Sequence, residues 1–388
     1  MQTYLLIDAC QFTANYNYCL LDALAKRGNR MVYATTQFAH GYVPDPAGVK
    51  VLRCFFFMAR LVSRLTSSGP VRRTLRAVEY PANLLFLLGY VLVKRIRVIH
   101  FMWAVSPSLD YGVIRLLQMM GRRVVYTAHN PFPHELKASD IRRYSQIYCR
   151  VDHVIALTQY TKGEIVRHCG VDSNKITVIP HGDYTALFLL YGTNEDLARK
   201  VKEKAGGRII IAFLGHIRPY KGLEFFIEAF RLIKKRVPES FFLVAGSPLV
   251  ADRQELEERL ARSCAPDDLW ADIRFIPVED LKAYLSVIDV LVQPYISASQ
   301  SGNTVMAYTA GVPVISTNVG GLGEMTDEGE TGYVIAPKDP EAIAAAVARC
   351  LDGNNYARMS QNARRAAAGE FSWESIAKQT ADVYEHLS

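Results

Sequence analysis

A chain of 388 residues, half of them apolar, is long enough for two α/β domains of roughly 150–200 residues each and too rich in core-forming residues to be disordered. Its seven cysteines are scattered, with no C-x-x-C pair and no clustering with histidine, a pattern that favours a reducing cytosol over a disulfide or zinc framework. The net charge of +7 is concentrated in residues 53–97, where nine basic residues face the single acid Glu79, and no zinc finger or RNP-type strand accompanies it, so no nucleic-acid partner is expected.

The chain opens on Met1-Gln-Thr-Tyr-Leu-Leu-Ile-Asp8, which reads as a buried strand and, lacking a basic segment and a cleavage pattern, not as a signal peptide. Strand-like runs follow at Met31–Tyr33, Val98–Phe101, Val124–Tyr126 and His153–Ala156, with amphipathic segments between several of them. Alternation of this kind implies parallel sheets covered on both faces.

Within the basic stretch lie Phe55-Phe-Phe-Met58, Leu61-Val62 and the apolar run Leu84–Val93, the last short of the ~20 residues that cross a bilayer. Two readings stand: core helices of the first domain with a solvated basic face, or an interfacial surface that docks on a membrane.

After the fourth strand comes Thr127-Ala-His129-Asn130-Pro-Phe-Pro-His134-Glu135. Two histidines and a carboxylate at one strand end, on a loop stiffened by prolines, favour function over a structural histidine. A metal is not expected, since neither a helical i, i+4 pair nor a cysteine partner is present. Ile179-Pro-His181-Gly182 forms a further polar turn after another strand.

A second series of strands begins after the polar stretch Thr193–Gly207: Ile209–Leu214, Phe241–Ala245, Ile273–Ile276, Asp289–Val292 and Val312–Ile315. The expected organisation is therefore a first Rossmann-like domain over 1–195, a second over 205–368, a cleft between them, and a closing amphipathic helix within 369–388.

In Phe213-Leu-Gly215-His-Ile-Arg218-Pro-Tyr-Lys221-Gly222 a buried strand ends in a turn carrying two cations just before a helix. Ligands of open α/β sheets bind at such strand ends, and cations beside a helix N-terminus would stabilise a diphosphate as it gains charge on leaving. A second loop, Pro294–Met306, precedes a helix and offers Ser297, Ser299, Gln300 and Ser301 to a sugar or phosphate, with backbone N–H groups at 301–304 aimed at an anion; Ser301 could equally cap the helix. A third turn, Asn318-Val-Gly320-Gly321-Leu-Gly-Glu324, lets backbone approach a ligand closely.

Taken in order, Pro180-His-Gly182, Gly215-x-x-x-x-x-Lys221-Gly222, Gly311-Val-Pro-Val-Ile315, Gly320-Gly-x-x-Glu324 and Glu330-Thr-Gly332 resemble the retaining glycosyltransferases of family 4. The strings Thr-Ala-His-Asn-x-x-Pro-His-Glu and Ser-Gln-Ser-Gly are similar to a bacterial polysaccharide-assembly branch of that family. The resemblance implies an α/β GT-B fold with two Rossmann-like domains and a last helix that crosses back to the first. It implies a nucleotide-sugar co-substrate, UDP- or GDP-hexose, and no cofactor or metal. The donor diphosphate would be held by Lys221 and a basic residue before it, and the transferred sugar by His129. The donor site would further comprise His181, Gly215, Gln300, Ser301, Gly302, Asn303, Thr304, Gly320, Gly321 and Glu324, with Asn130, His134 and Glu135 on the acceptor side. The acceptor would be a saccharide or lipid-linked saccharide, met at the cytoplasmic face of a membrane. Retention is usually explained by attack from the face the nucleotide leaves, the departing phosphate taking the proton.

Three departures stand out. His216 follows the motif glycine where relatives carry arginine, which shifts that role to Arg218. Ala298 and Met306 occupy the positions of two glutamates that relatives use for the sugar and the ribose, leaving Gln300, Ser301 and Asn303 to compensate. The first strand is followed by Asp8–Asn17 without a glycine. The loss of both glutamates keeps a non-catalytic scaffold open as an alternative, and the shared architecture keeps a sugar-nucleotide epimerase open as another.

Overall fold

The computed structural model describes residues 2–37, 43–63, 69–132, 138–248 and 253–388. The chain divides into two compact units, one formed by Met1–Pro180 with Trp373–Ser388 and the other by His181–Ser372.

The first unit is built from β1 (Thr3–Asp8), α1 (Ala14–Lys26), β2 (Arg30–Thr35), β3 (Lys50–Arg53), α2 (Phe57–Ser63), α3 (Gly69–Val93), β4 (Val98–Phe101), α4 (Pro107–Met119), β5 (Arg123–Ala128), α5 (Ala138–Arg150), β6 (His153–Ala156), α6 (Gln159–Cys169) and β7 (Ile176–Val178). Its seven strands form one parallel sheet in the order β3-β2-β1-β4-β5-β6-β7. Every residue of β4 is buried, as expected for a strand covered on both faces. The order reverses between β1 and β4, so the carboxyl ends of β1, β4 and β5 surround the crevice where such sheets take ligands.

The second unit runs through α7 (Thr185–Leu190), α8 (Glu195–Ala205), β8 (Ile209–Leu214), α9 (Leu223–Arg236), β9 (Ser240–Ala245), α10 (Arg253–Ser263), β10 (Leu269–Asp272), α11 (Val278–Leu285), β11 (Val290–Gln293), α12 (Gly302–Ala310), β12 (Val314–Thr317), β13 (Gly332–Ile335), α13 (Pro340–Leu351) and α14 (Asn355–Ala368). Its six-stranded parallel sheet has the order β10-β9-β8-β11-β12-β13.

The last helix, α15 (Trp373–His386), belongs to the first unit, where it packs on α1. Its Tyr384 hydroxyl meets His100 Nδ1 at 2.6 Å, and His100 Nε2 meets Thr127 Oγ1 at 2.7 Å, which joins the helix to β4 and β5 through a fully buried polar chain.

The structure departs from the sequence reading in three places. The third strand of the second sheet is Leu269–Asp272, not Ile273–Ile276: Leu269 pairs with Phe242 in register, whereas Phe275 is exposed and Arg274 turns the chain away through ion pairs to Asp272 (2.8 Å) and Asp280 (2.5 Å). The polar stretch 193–207 is mostly the helix α8, which buries Ala198, Val201 and Ala205 and is tied to α11 by Asn194 Nδ2 donating to Asp280 Oδ1 at 2.8 Å; the units part at 180/181 instead. Finally, the run Leu84–Val93 is the second half of the 25-residue helix α3, which by length and composition could cross a bilayer, because Val71, Leu75 and Val78 extend its apolar character.

Candidate functional site

The sharpest constellation lies in the second unit, at the carboxyl ends of β8 and β11. Gly215 follows β8 with φ +110, and a Cβ added there would sit 2.7 Å from Asn303 Nδ2 and 3.6 Å from Lys221 Nζ. The glycine therefore lets the β8 turn, the first turn of α12 and the Lys221 ammonium converge. Asn303 Nδ2 is held by the Leu214 carbonyl at 2.7 Å.

Lys221 is fixed in turn. Its Nζ donates to the Tyr295 hydroxyl at 2.9 Å and lies 4.6 Å from that ring's centroid. Tyr295 is buried, and it meets the lysine with a hydroxyl and a ring face, so the lysine is positioned without a carboxylate partner. The turn is stapled to the loop after β11 by Ile296 N–H donating to the Tyr220 carbonyl at 2.7 Å. Arg218 opens the short 3-10 turn and is exposed; its carbonyl accepts from Lys221 N–H at 2.9 Å. Partial burial, then the charges of Lys221 and Arg218, lower the His216 pKa, which favours the uncharged imidazole beside the two cations.

Helix α12 begins at Gly302 without a side-chain cap. The Ser301 hydroxyl accepts from Gln293 Nε2 at 3.0 Å, and the Thr304 hydroxyl donates to Gln293 Oε1 at 2.7 Å. Both hydroxyls are thus turned onto a buried glutamine, and these positions offer a ligand their backbone rather than their side chains. The capping role open to Ser301 is not realised, which leaves the N–H groups of Gly302 and Asn303 at the positive end of the helix. Gln300 keeps a solvent-shielded Oε1 that has no hydrogen-bond partner among the described residues.

Over the same helix end lies the turn at His181. A Cβ on Gly302 would fall 2.6 Å from the Tyr184 hydroxyl and 3.5 Å from His181 Nε2. Burial lowers the His181 pKa, and its Nδ1 bonds the Gly182 carbonyl at 2.8 Å. A carbonyl only accepts, so the neutral ring carries its proton on Nδ1 and Nε2 is the acceptor nitrogen.

The glycine turn after β12 is close by: Gly321 N–H donates to the Ala298 carbonyl at 3.2 Å, and Gly320 has φ +51. Glu324 is exposed and lines a cavity of about 600 Å³ with Tyr308, Asp327, Arg365 and Glu370. That cavity contains none of Gly215, Lys221, Gln300 or Asn303, so it is separate from the constellation around Lys221. Ala298 and Met306 are both buried and apolar, and no carboxylate stands in their places.

In the first unit, His129 directly follows β5 and is buried, stacked on Trp103 (centroids 4.8 Å apart, planes at 7°) and edge-on to Tyr16 at 5.0 Å. The glycine-free turn after β1 is organised by Asp8, whose carboxylate accepts from Phe12 N–H (3.3 Å), Thr13 N–H (3.4 Å) and Asn17 Nδ2 (2.7 Å). Trp103 Nε1 donates to Thr13 Oγ1 at 3.1 Å, and Phe12, 62 % exposed, lies edge-on to Trp103 at 5.7 Å. Phe12, Tyr16 and Trp103 were missed by the sequence reading, although Trp103 falls just past a strand end, where ligand contacts concentrate. Asn130 presents its carbonyl to the Tyr148 hydroxyl at 3.4 Å, while His134 and Glu135 lie outside the described residues. No cluster of three or more His, Cys, Asp or Glu suited to a metal occurs among the described residues.

Two family models match the chain: Glycosyltransferase Family 4 over residues 13–183 and Glycosyl transferases group 1 over residues 194–366. A D-inositol 3-phosphate glycosyltransferase of Corynebacterium efficiens is 29% identical over 262 residues, 64% of this chain and 60% of that protein. A namesake from Streptomyces scabiei is 29% identical over 259 residues, 62% and 55% of the two chains. The chain thus spans between 52% and 60% of the length of the curated relatives it matches. Among solved structures, Anabaena HepE in complex with UDP superposes with a TM-score of 0.72 at 17% identity, covering 100% of both chains. The sucrose-phosphate synthase of Thermosynechococcus elongatus gives 0.74 at 20% identity, covering 100% of this chain and 99% of that one. With both models matched in order along an α/β two-domain GT-B fold, the chain belongs to the group 1, family 4-like glycosyltransferases.

Proposed function

We propose that this protein is a retaining, metal-independent glycosyltransferase that moves a hexose from UDP- or GDP-sugar to a saccharide or lipid-linked saccharide in polysaccharide assembly, in the cytoplasm at the inner face of a membrane. The observation that carries the reading is the convergence of Lys221 Nζ, Asn303 and the uncapped start of α12 on Gly215. A diphosphate there meets a lysine whose partner is a tyrosine hydroxyl and not a carboxylate, together with N–H groups at a helix terminus.

As the bond from the anomeric carbon to the phosphate oxygen breaks, charge builds on the leaving diphosphate, and Lys221 with Arg218 stabilises it. The acceptor hydroxyl forms the new bond on the same face and passes its proton to the departing phosphate oxygen, so no protein nucleophile takes part. His181 Nε2 can accept from a donor hydroxyl, His129 contacts the transferred sugar, and Gln300 takes over recognition that relatives give to glutamate. UDP is the first nucleotide to try, because HepE was solved with UDP and with UDP-glucose.

Thermal unfolding with UDP, GDP, ADP and their sugar conjugates, first without metal and then with magnesium, tests the reading. Stabilisation by one base, lost in Lys221→Ala, supports it; no shift with any nucleotide favours the non-catalytic scaffold, for which the apolar pair Ala298 and Met306 speaks.

A further inference from the structure

Helix α3 carries two apolar stripes. Tyr80, Leu84, Leu87 and Val91, at helical spacings of three and four, are buried against the first unit's core. Val71, Val78, Leu85 and Leu92 recur every seven residues on the other side of the helix and are exposed, Val78 by 71 % and Leu85 by 68 %. Phe86 and Val93 widen this outer stripe, and α2, which packs on α3, adds exposed Phe57 and Met58. An apolar band of this length is unusual on a surface that faces only water.

The charge around the band is one-sided. Residues 53–97 hold nine basic side chains and one acid. That acid, Glu79, is engaged, its two oxygens accepting from Met58 N–H (2.8 Å) and Ala59 N–H (2.9 Å) at the start of α2. Arg53 is paired with Asp45 at 2.6 Å, but among the described residues Arg72, Arg73, Lys94 and Arg95 are in no ion pair, and apolar side chains among such cations complement one kind of surface, an anionic lipid interface.

Crossing the bilayer is disfavoured by what holds α3 in place. The Tyr80 hydroxyl bonds Asp110 Oδ1 at 2.5 Å, Asn83 Oδ1 accepts from Phe56 N–H at 3.1 Å, and a span would strip these contacts along with the buried stripe. It would also carry Arg76 and Glu79 into hydrocarbon.

We infer that α3 lies in the plane of an anionic membrane surface, its Val71/Val78/Leu85/Leu92 stripe among the acyl chains and its arginines at the headgroups. This rests on α3 with α2, deepens the membrane part of the proposed function and does not need the donor-site reading.

The test uses the full chain with vesicles of phosphatidylcholine alone or mixed with phosphatidylglycerol, read by cosedimentation. Wild type should pellet with the mixed vesicles and be released by salt. Leu85→Asp combined with Phe86→Ser should weaken partitioning more than about tenfold, and Arg72→Gln with Arg73→Gln roughly 25-fold. Leu189→Asp, at an exposed site of α7, should change nothing. Matching unfolding temperatures show that the variants fold, and nucleotide-induced stabilisation on the same samples separates failure here from failure of the donor site. Three results would overturn the inference: wild type that ignores phosphatidylglycerol vesicles, a stripe variant that binds as well as wild type, or protein that resists alkaline extraction as a spanning helix does. A concentration-dependent dimer that Leu85→Asp abolishes, without vesicle binding, would assign the stripe to a second copy of the chain instead.

Discussion

Lys221 Nζ lies 2.9 Å from the Tyr295 hydroxyl and 4.6 Å from the centroid of the same ring, so one buried tyrosine holds the ammonium through both its polar end and its face. Neither contact cancels the charge, which a carboxylate in that place would do. Lys221→Ala should lower kcat/KM by roughly 100- to 1,000-fold, as expected for removing a group that stabilises a developing anion, with little change in unfolding temperature because the turn is partly exposed. Tyr295→Phe removes the hydroxyl and keeps the ring, and should cost only about tenfold. Steady-state kinetics on the two variants checks the order; equal losses would mean that the lysine is not the chief phosphate contact.

Gly222 sits at φ +63 with the Pro294 carbonyl oxygen only 2.0 Å from where a Cβ would be. A backbone atom cannot swing aside as a side-chain tip can, and the left-handed backbone adds strain of its own. Gly222→Ala should therefore lose about 2–4 kcal/mol of stability, read as a lower denaturation midpoint. Gly329→Ala also places a side chain at positive φ, +77, but in open space, and should lose only about 1 kcal/mol.

The parallel sheets and most of their strands were legible because strands buried on both faces read as unbroken apolar runs, as in Ile209–Leu214 and Phe241–Ala245. The short edge strands β3 and β13 were not, since β3 is a four-residue strand with charged ends and β13 opens on a glycine. At the donor site the residue types were readable but their orientation was not. Ser301 and Thr304 have the right chemistry for a sugar, yet Gln293, eight residues before Ser301 and on another element, turns both hydroxyls inward. The Phe12–Trp103–His129 group joins three separate strand ends, so no local window could reveal it.

His100 is fully buried between the Tyr384 and Thr127 hydroxyls, and burial pushes its pKa from 6.5 down to about 3. In the unfolded chain the imidazole protonates near its ordinary value, so between those two pH values the unfolded state holds the extra proton. The resulting stability is complete above about pH 6.5 and is lost as pH falls toward about 3, at a slope of up to ~1.4 kcal/mol per pH unit. Asp110, raised from 3.8 to about 6 chiefly by burial, works the other way over its own range, because there the folded state holds the proton. His100→Gln leaves Asp110 in place and removes only the first contribution. The fall in unfolding free energy from pH 6.5 to pH 4.5 should thus be shallower in His100→Gln than in wild type; parallel profiles would show that the buried ring does not govern acid stability.

Phe12 exposes 62 % of its surface while its edge meets Trp103, which in turn lies flat on His129. A large aromatic left open at a strand-end turn has no core to serve, and a flat apolar face suits the C–H face of a sugar ring. Its turn is held by the Asp8 carboxylate and by Trp103 Nε1 on Thr13, not by the phenyl ring, so Phe12→Ala should leave the unfolding temperature unchanged. Once an acceptor is in hand, the variant should raise the acceptor KM by about 3- to 10-fold, the loss of one stacking contact, while nucleotide binding stays as in wild type. Phe12→Tyr, which keeps the ring, should restore the wild-type KM. If Phe12→Ala weakens nucleotide binding instead, the open ring belongs to the donor rather than to the acceptor; if it alters neither, the stacking role falls.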